Sequence, residues 1–364
     1  MITEVKLGDI CDILNGYAFK SKEYVEDGIR IIRITNVQKG IIQDTDPKYY
    51  DITKIETLNN YMLKENDLLI SLTGNVGRVG QISKELLPAG LNQRVGCIRI
   101  KEKEDVSIDY LYQYFNSYNF ERDCINNSKG IAQKNLSTEW LKNYKMKIPS
   151  LDEQKRIAIE LRQIQRIKDL KQQQLKELNQ LIKSQFVEMF GNIHFNDRKW
   201  NKNKWRDVLI IKNGKNQKKV ESFNGKYPIY GSGGIIGFAN DYICNENSII
   251  IGRKGSINKP ILVKTKFWNV DTAFGLEPIK EKIKADYLYY FCYFYNFEKH
   301  NKAVTIPSLT KKDLLNIEIS VPPITLQNQF SEIVKQIDKQ KFEIEKSLKE
   351  TQELYESLME KYFG

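Results

Sequence analysis

The chain reads PSLDEQKRIAIELRQI at residues 149–164 and PPITLQNQFSEIVKQI at residues 322–337. These stretches open two segments, 149–191 and 322–364, that align without a gap at a constant offset of 173 residues. An internal repeat of this kind indicates an architecture built from related units. We therefore expect two similar halves in one chain, an arrangement that suits a two-part target such as duplex DNA.

Both repeated segments have the pattern of long helices. Their core positions recur at alternating spacings of four and three residues, which is typical of a coiled coil. Each segment begins with proline and ends with glycine, at Gly191 and Gly364, as expected at helix ends. Lys168 and Lys341 interrupt the apolar seam, where they either set the register or extend their amines to solvent. We expect antiparallel packing of the helices, with a mixed domain at each end of this spacer.

The regions before the helices also correspond. Residues 9–16 are repeated at 207–214, and the short apolar runs 68–70 and 249–251 predict equivalent strands that end in glycine-containing loops. The loops themselves differ in chemistry, with Thr73, Asn75 and Arg78 in one and Arg253, Lys254 and Ser256 in the other. Similar scaffolds with different loops predict two domains that recognise different things.

An aromatic run at 287–297 has a counterpart at 110–115. Aromatic side chains of this kind could stack on single-stranded bases. Because the run occupies the same place in both halves, it favours a buried helix instead.

Composition narrows the functional classes. The formal net charge is +11. Residues 198–219 contain nine Lys or Arg residues and a single acidic residue, Asp207. That stretch is either a solvated surface or a contact to phosphates. The five cysteines are scattered and only two histidines occur, which argues against zinc and disulfides and favours a reducing cytoplasm. We expect no membrane segment.

Three local sequences carry a resemblance to a known family. They are Leu7-Gly8-Asp9-Ile10, the loop KYPIYGSGGIIG at 226–237, and the helix entrance at 148–157. Together with the duplicated order of mixed domain and long helix, they resemble the specificity subunit of Type I restriction–modification systems. The halves differ in places: residues 31–36, IIRITN, stand where the second half has its Tyr-Pro-x-Tyr-Gly loop, and Leu326 stands where the first helix has Glu153.

The resemblance implies an α+β fold in which two pseudo-two-fold-related mixed α/β target-recognition domains are joined by two long antiparallel coiled-coil helices. The expected recognition domains are residues 1–150 and 192–322, and the expected spacer helices are residues 151–191 and 323–364. It further implies a non-catalytic, cytoplasmic subunit that reads a bipartite double-stranded DNA. Two methyltransferase (modification) subunits would dock on the helices and bring S-adenosylmethionine, and nuclease/translocase (restriction) subunits can join. The chain itself is expected to bind neither cofactor nor metal.

The residues alone leave two alternatives open. No phosphate-binding loop and no Asn-Pro-Pro-aromatic methylation motif is present, so we expect no catalytic residue in this chain. The chain could be the recognition portion of a related restriction–modification enzyme whose catalytic domains are encoded separately. It could also be a coiled-coil scaffold that does not bind DNA.

Candidate DNA contacts are loop side chains that can read base edges or hold phosphates. Arg and Lys suit guanine, and Asn and Gln suit adenine, because these pairings can be bidentate. Most lysine contacts are expected to go to phosphates. The first domain offers Arg33, Thr35, Asn36, Thr73, Asn75, Arg78, Gln93, Arg94, Gln133 and Lys134, and the second offers Lys215, Lys218, Lys219, Tyr230, Ser232, Arg253, Lys254 and Ser256.

If the helices act as a spacer, their length sets the distance between half-sites. Adding one heptad to both helices should lengthen the spacer by about 10 Å, equivalent to about 3 bp of duplex. Sequencing of methylated sites in the host should then show the two half-sites moved apart. Methylation only at the original spacing would show that helix length does not set the distance between the half-sites.

Overall fold

The computed structural model describes residues 2–101, 105–130, 134–301 and 307–364. The chain divides into two compact units. Unit 1 comprises Met1–Leu170 and Leu348–Gly364, and unit 2 comprises Lys171–Ser347. Each long helix therefore begins in one unit and ends in the other.

The strands and helices that begin in the first part of the chain lie mainly in unit 1. They are β1 (Thr3–Lys6), α1 (Leu7–Ile10), β2 (Cys11–Asn15), β3 (Ile29–Ile32), β4 (Val37–Gln38), β5 (Ile41–Ile42), β6 (Tyr49–Tyr50), β7 (Leu68–Ser71), β8 (Val79–Gln81), β9 (Ala89–Leu91), β10 (Val95–Ile100), α2 (Ile108–Phe115), α3 (Tyr118–Asn126), α4 (Thr138–Asn143), β11 (Lys145–Ile148) and the long helix α5 (Leu151–Phe190).

The second part of the chain forms a corresponding series. Its elements are β12 (Asn201–Lys204), α6 (Trp205–Val208), β13 (Leu209–Asn213), β14 (Tyr227–Gly231), β15 (Gly234–Ala239), β16 (Ser248–Gly252), β17 (Ile261–Val263), β18 (Trp268–Asn269), β19 (Ala273–Pro278), α7 (Ala285–Phe294), α8 (Lys311–Leu314), β20 (Glu318–Val321) and the long helix α9 (Ile324–Phe363).

The two units repeat one topology. An antiparallel pair β1–β11 and a sheet of order β2-β10-β7-β8 in unit 1 correspond to β12–β20 and β13-β19-β16-β17 in unit 2. A smaller sheet, β6-β3-β9 or β15-β14-β18, contains one parallel pair in each unit. The short helices α1 and α6 start alike, since Asp9 and Asp207 each accept a hydrogen bond from the backbone N–H three residues earlier, at 3.2 Å. The fold expected from the repeat is confirmed.

The aromatic runs are core helices, as expected. In unit 2, Tyr287 on α7 is buried and its ring lies 5.4 Å from that of Phe186 and 4.8 Å from that of Phe190. In unit 1, Tyr110 on α2 is buried and contacts Phe363, the last residue of α9, at 5.5 Å between ring centroids. The final phenylalanine of each long helix is thus buried in the core of the unit where that helix ends.

Within unit 1, the first part of α5 packs against the last part of α9, so these segments run antiparallel. Ile157 and Leu161 are buried there, and the Tyr362 hydroxyl donates to a Glu160 carboxylate oxygen at 2.8 Å. The seam residue Lys168 places its amine 4.7 Å from the centre of the Tyr355 ring, an interhelical cation–π contact.

Within unit 2, the last part of α5 packs against the first part of α9, again antiparallel. Phe186 and Phe330 are fully buried between them, with ring centroids 5.6 Å apart. The Lys171 amine donates to the Ser347 hydroxyl at 2.8 Å. Lys341, the other seam lysine, instead pairs with Asp338 of its own helix at 3.8 Å.

One buried glutamine fastens the start of each long helix. Gln154 accepts a hydrogen bond from the Ser107 N–H and donates to the Pro149 carbonyl, both at 2.9 Å. Gln327, in the equivalent place, accepts from the Lys284 N–H and donates to the Pro322 carbonyl, both at 2.8 Å. Ser107 and Lys284 immediately precede α2 and α7. Each glutamine therefore joins the start of a long helix to the start of the aromatic helix in the same unit.

We predict that Gln327→Ala lowers the free energy of unfolding of unit 2 by about 1–3 kcal/mol. The side chain is fully buried, and its loss leaves a backbone donor and acceptor without partners. Urea denaturation, with hydrogen exchange at the start of α7 and α9, measures the effect. Gln180→Ala in the same unit is the matched control, because Gln180 is exposed and a change there should stay within about 0.5 kcal/mol. Equal stability of the two variants would contradict the proposed fastening.

Candidate nucleic-acid interface

The loop after the central strand is clamped identically in both units. In unit 1, the Gly74 N–H donates to the Lys134 carbonyl at 2.9 Å, and the Leu136 N–H donates to the Leu72 carbonyl at 2.8 Å. The same two hydrogen bonds recur in unit 2, from Gly255 to Pro307 at 3.1 Å and from Leu309 to Arg253 at 2.9 Å. The loop backbone is therefore held in place while its side chains are free to differ.

In unit 1, this loop borders a cavity of about 290 Å³. Five of the side chains predicted as DNA contacts line it, namely Thr35, Thr73, Asn75, Arg78 and Arg94. They come from three separate parts of the chain, so only the tertiary fold brings them together. Gln38, which sequence reasoning missed, also lines the cavity and accepts a hydrogen bond from the Arg78 guanidinium at 2.7 Å.

Two other candidates of unit 1 turn towards their own loop. The Arg33 guanidinium donates to the Asp46 carbonyl at 2.5 Å and lies 3.3 Å from its carboxylate. The hydrogen bond from Lys48, followed by that from Arg33, lowers the pKa of Asp46 below its ordinary value. Asn36 is only 3% exposed, accepts from the Arg33 N–H at 2.8 Å and donates to the Gln43 carbonyl at 3.0 Å. In this structure both residues support the shape of the loop.

Two further candidates of unit 1, Gln93 and Lys134, adjoin residues that line the cavity. Gln93 is exposed next to Arg94, and its N–H donates to the Tyr17 carbonyl at 2.9 Å. Lys134 is exposed at the clamp described above. Gln133 lies outside the described residues.

In unit 2, the equivalent loop carries cations. Arg253 and Lys254 are exposed, and the Arg253 guanidinium lies 5.9 Å from the centre of the Phe274 ring. Gly255 adopts a positive φ of 79°, and a Cβ there would lie 3.9 Å from the Ser232 hydroxyl. The structure thus brings the β14–β15 turn, with Ser232, next to the loop 253–256, where Ser256 is half-buried.

A second basic loop follows β13. Its start is fixed, because the Lys215 N–H donates to the Asn269 carbonyl at 3.0 Å and the Trp268 indole donates to the Lys215 carbonyl at 2.9 Å. Lys215, Lys218 and Lys219 are all exposed. Tyr230 on β14 is half-buried against Phe267, and burial raises the pKa of its hydroxyl.

The basic stretch 198–219 divides into two parts. Arg198 donates to the Glu188 carbonyl at 2.8 Å, Lys202 pairs with Glu318 at 3.3 Å, and Arg206 contacts Asn316. Those early cations have structural contacts.

The exposed cations in and beside the loops that follow β7, β9, β13 and β16 differ from these. These exposed cations are Arg94, Lys134, Lys215, Lys218, Lys219 and Lys254. Within the described parts of the chain, none of these six forms an ion pair with an acidic side chain. Unpaired, exposed cations can contact phosphates without first losing a structural interaction.

Two observations bear on other classes of protein. Within the described ranges, no helix carries an apolar stretch that would cross a bilayer. Over the same ranges, no three His, Cys, Asp or Glu side chains are grouped as a metal site.

Comparison with known proteins places this fold in a family. Residues 2–180 and 197–354 match the model of the Type I restriction modification DNA specificity domain. The specificity subunit of the Type I restriction enzyme EcoAI from Escherichia coli is 33% identical over 156 residues, which cover 42% of this chain and 26% of that protein. A Methanocaldococcus jannaschii protein, assigned as the MjaX specificity subunit, is 22% identical over 390 aligned positions that cover 96% of this chain and 91% of its own.

A solved structure shares the fold. The crystal structure of a Type I restriction–modification S subunit from M. genitalium superimposes with a TM-score of 0.64 at 16% sequence identity. The superposition covers 100% of this chain and 96% of that one. With the family match extending over both units, the chain belongs to the Type I restriction modification DNA specificity domain family.

Proposed function

We propose that this chain recognises a bipartite double-stranded DNA sequence as the specificity subunit of a Type I restriction–modification complex. The observation that carries the proposal is the pair of equivalent loops after β7 and β16. Their backbones are clamped by the same hydrogen bonds, yet their polar side chains differ, with Thr73 and Asn75 in one loop and Lys254 and Ser256 in the other. A rigid loop with variable side chains is what a recognition domain needs, because each unit can then read its own half of the target.

The side chains fit direct reading of bases. Asn75 can be bidentate to adenine, whereas Arg94 or Arg253 can be bidentate to guanine in the major groove. The exposed lysines 215, 218, 219 and 254 suit phosphates, which position a protein on DNA without specifying sequence. Gln38, which orients Arg78, adds a further amide at the unit 1 cavity.

The proposal assigns recognition to this chain and chemistry to its partners. The relatives are named as specificity subunits of restriction enzymes. We infer that this chain likewise assembles with methyltransferase subunits, which supply S-adenosylmethionine, and that nuclease subunits can join them. We also infer a cytoplasmic location, since its DNA target would lie there and five buried free thiols fit a reducing compartment.

Salt dependence tests DNA binding against a scaffold role. Phosphate contacts make the logarithm of affinity fall linearly with the logarithm of salt concentration, by about 0.9 for each contact. We predict that Lys218→Ala combined with Lys219→Ala reduces that slope by about 2 in binding titrations with duplex DNA. Lys280→Ala is the control, because Lys280 is exposed beyond the other end of β19. Absence of salt-dependent duplex binding by the unaltered protein would favour the scaffold.

The two units should act on separate halves of the target. We predict that Arg94→Ala relaxes or weakens recognition of one half-site and Arg253→Ala that of the other, each by about 1–3 kcal/mol if the arginine contacts guanine. Mapping methylated sites in cells that carry each variant measures both effects. A change that affects both half-sites equally would contradict separate reading.

A further inference from the structure

The outer strand of the small sheet in unit 2 exposes apolar side chains. Ile235 and Ile236 on β15 are each 55% exposed, and Phe238 is 46% exposed. The backbone edge of β15 is partly paired, since the Ser222 N–H donates to the Phe238 carbonyl at 2.9 Å, but these side chains remain exposed. Exposed apolar side chains on outer strands promote association, so proteins usually cover them or place charges beside them. Unit 1 covers the equivalent strand β6, where Tyr50 is only 3% exposed and packs in a cluster with Ile29 and other buried side chains. We therefore expect a binding partner to cover the exposed apolar side chains of β15 in unit 2.

The local backbone aims these isoleucines outward. In the β14–β15 hairpin, Tyr230 lies opposite Ile235 and Ile229 lies opposite Gly237, so Ile236 is the extra residue of a β-bulge. Bulges of this kind redirect side chains and are common beside functional sites. Ile236 packs beside Gly231: a Cβ on Gly231 would lie 3.6 Å from Ile236 Cγ2, an ordinary van der Waals distance.

The apolar pair lies beside the basic recognition loop. Ser232, at the tip of the same hairpin, lies next to Gly255: a Cβ on Gly255 would be 3.9 Å from the Ser232 hydroxyl. Arg253 and Lys254 of that loop are exposed. A surface that combines two isoleucines with flanking cations complements a polyanion that also offers apolar groups. Duplex DNA does so in the major groove, where thymine alone among the four bases presents a methyl group.

We propose that Ile235 and Ile236 read thymine by contacting its C5-methyl group in the half-site recognised by unit 2. The inference rests on the proposed function and deepens it, since it names the base and the chemical group. Aliphatic side chains cannot hydrogen-bond to base edges, so a methyl contact is the discrimination open to them. That half-site must then contain at least one A·T pair.

Replacing thymine by deoxyuridine removes only the methyl group and leaves base pairing intact. We expect the full-length chain to bind a duplex with deoxyuridine in the unit 2 half-site about threefold to tenfold more weakly than the thymine duplex. The I235A/I236A variant should lose a similar factor on the thymine duplex and should no longer distinguish the two duplexes. Deoxyuridine placed in the other half-site should affect both proteins equally.

Further variants and measurements separate this contact from other causes. The first control is Ile210→Ala. Ile210 is similarly exposed, at 51%, and lies on edge strand β13, opposite Glu277 and away from the loop 253–256. Its replacement should leave the affinity for duplex DNA unchanged. The I235A/I236A variant should also keep the salt slope of the unaltered protein, because an apolar contact releases no counterions. The conservative variant Ile236→Val should retain part of the deoxyuridine effect, and circular dichroism confirms that each variant is folded.

Each other result overturns the inference in a recognisable way. If the unaltered protein binds DNA in a salt-dependent manner but tolerates deoxyuridine, the methyl contact is wrong and the proposed function stands. The same conclusion follows if the half-site recognised by unit 2 contains no A·T pair. If I235A/I236A binds DNA normally but fails to assemble with methyltransferase subunits, the strand is a protein interface instead. If the unaltered protein shows no duplex binding, both proposals fail.

Discussion

A buried amide at the first turn of each long helix constrains the rest of the structure. Gln154 and Gln327 satisfy the backbone groups that would otherwise be left unpaired where helix, sheet and aromatic helix meet. Because a buried, unpaired backbone group costs about 1–3 kcal/mol, few other side chains could stand in this place. The glutamine is kept in both halves even though its neighbour changes from Glu153 to Leu326. This half-buried neighbour can vary because its side chain makes no buried hydrogen bond in either half.

The second constraint is the sharing of helices between cores. Helix α5 starts in unit 1 and contributes Phe186 and Phe190 to the core of unit 2, whereas α9 starts in unit 2 and contributes Phe363 to the core of unit 1. Neither core is complete without the end of the helix that begins in the other unit. A boundary at residue 150, where the first long helix starts, separates segments that follow one another along the chain. The boundaries of the compact units instead lie near the middle of both long helices.

The proposed recognition surfaces combine this rigid support with freedom at the loop side chains. Strands β7 and β16 are buried on both faces, and the loop after each strand is clamped by the segment that precedes α4 or α8. Rigid elements position functional groups more precisely than free loops do. Substitutions in the loops can therefore change what is recognised without disturbing the fold that presents it.

The repeat, the helices, the aromatic core helices and the central strands could be predicted from the sequence, because each depends on periodicity or on spacing along the chain. The convergence of Thr35, Asn75 and Arg94 on one cavity could be expected only in part, since the residue types indicated contacts but gave no distances. The inward turn of Arg33 and Asn36 was decided by Asp46 and Gln43, which the sequence does not mark as partners.

Exposure was likewise decided by tertiary structure. Ile235 and Ile236 follow a glycine-rich turn and could equally be core residues of a strand. In the structure they lie at a β-bulge and are exposed. The sequence by itself determined which elements form, because local periodicity and repeated spacing act along the chain. Only the tertiary structure decided which side chains meet and which remain exposed, because hydrogen bonding and packing between distant segments select among residues of the same chemical type.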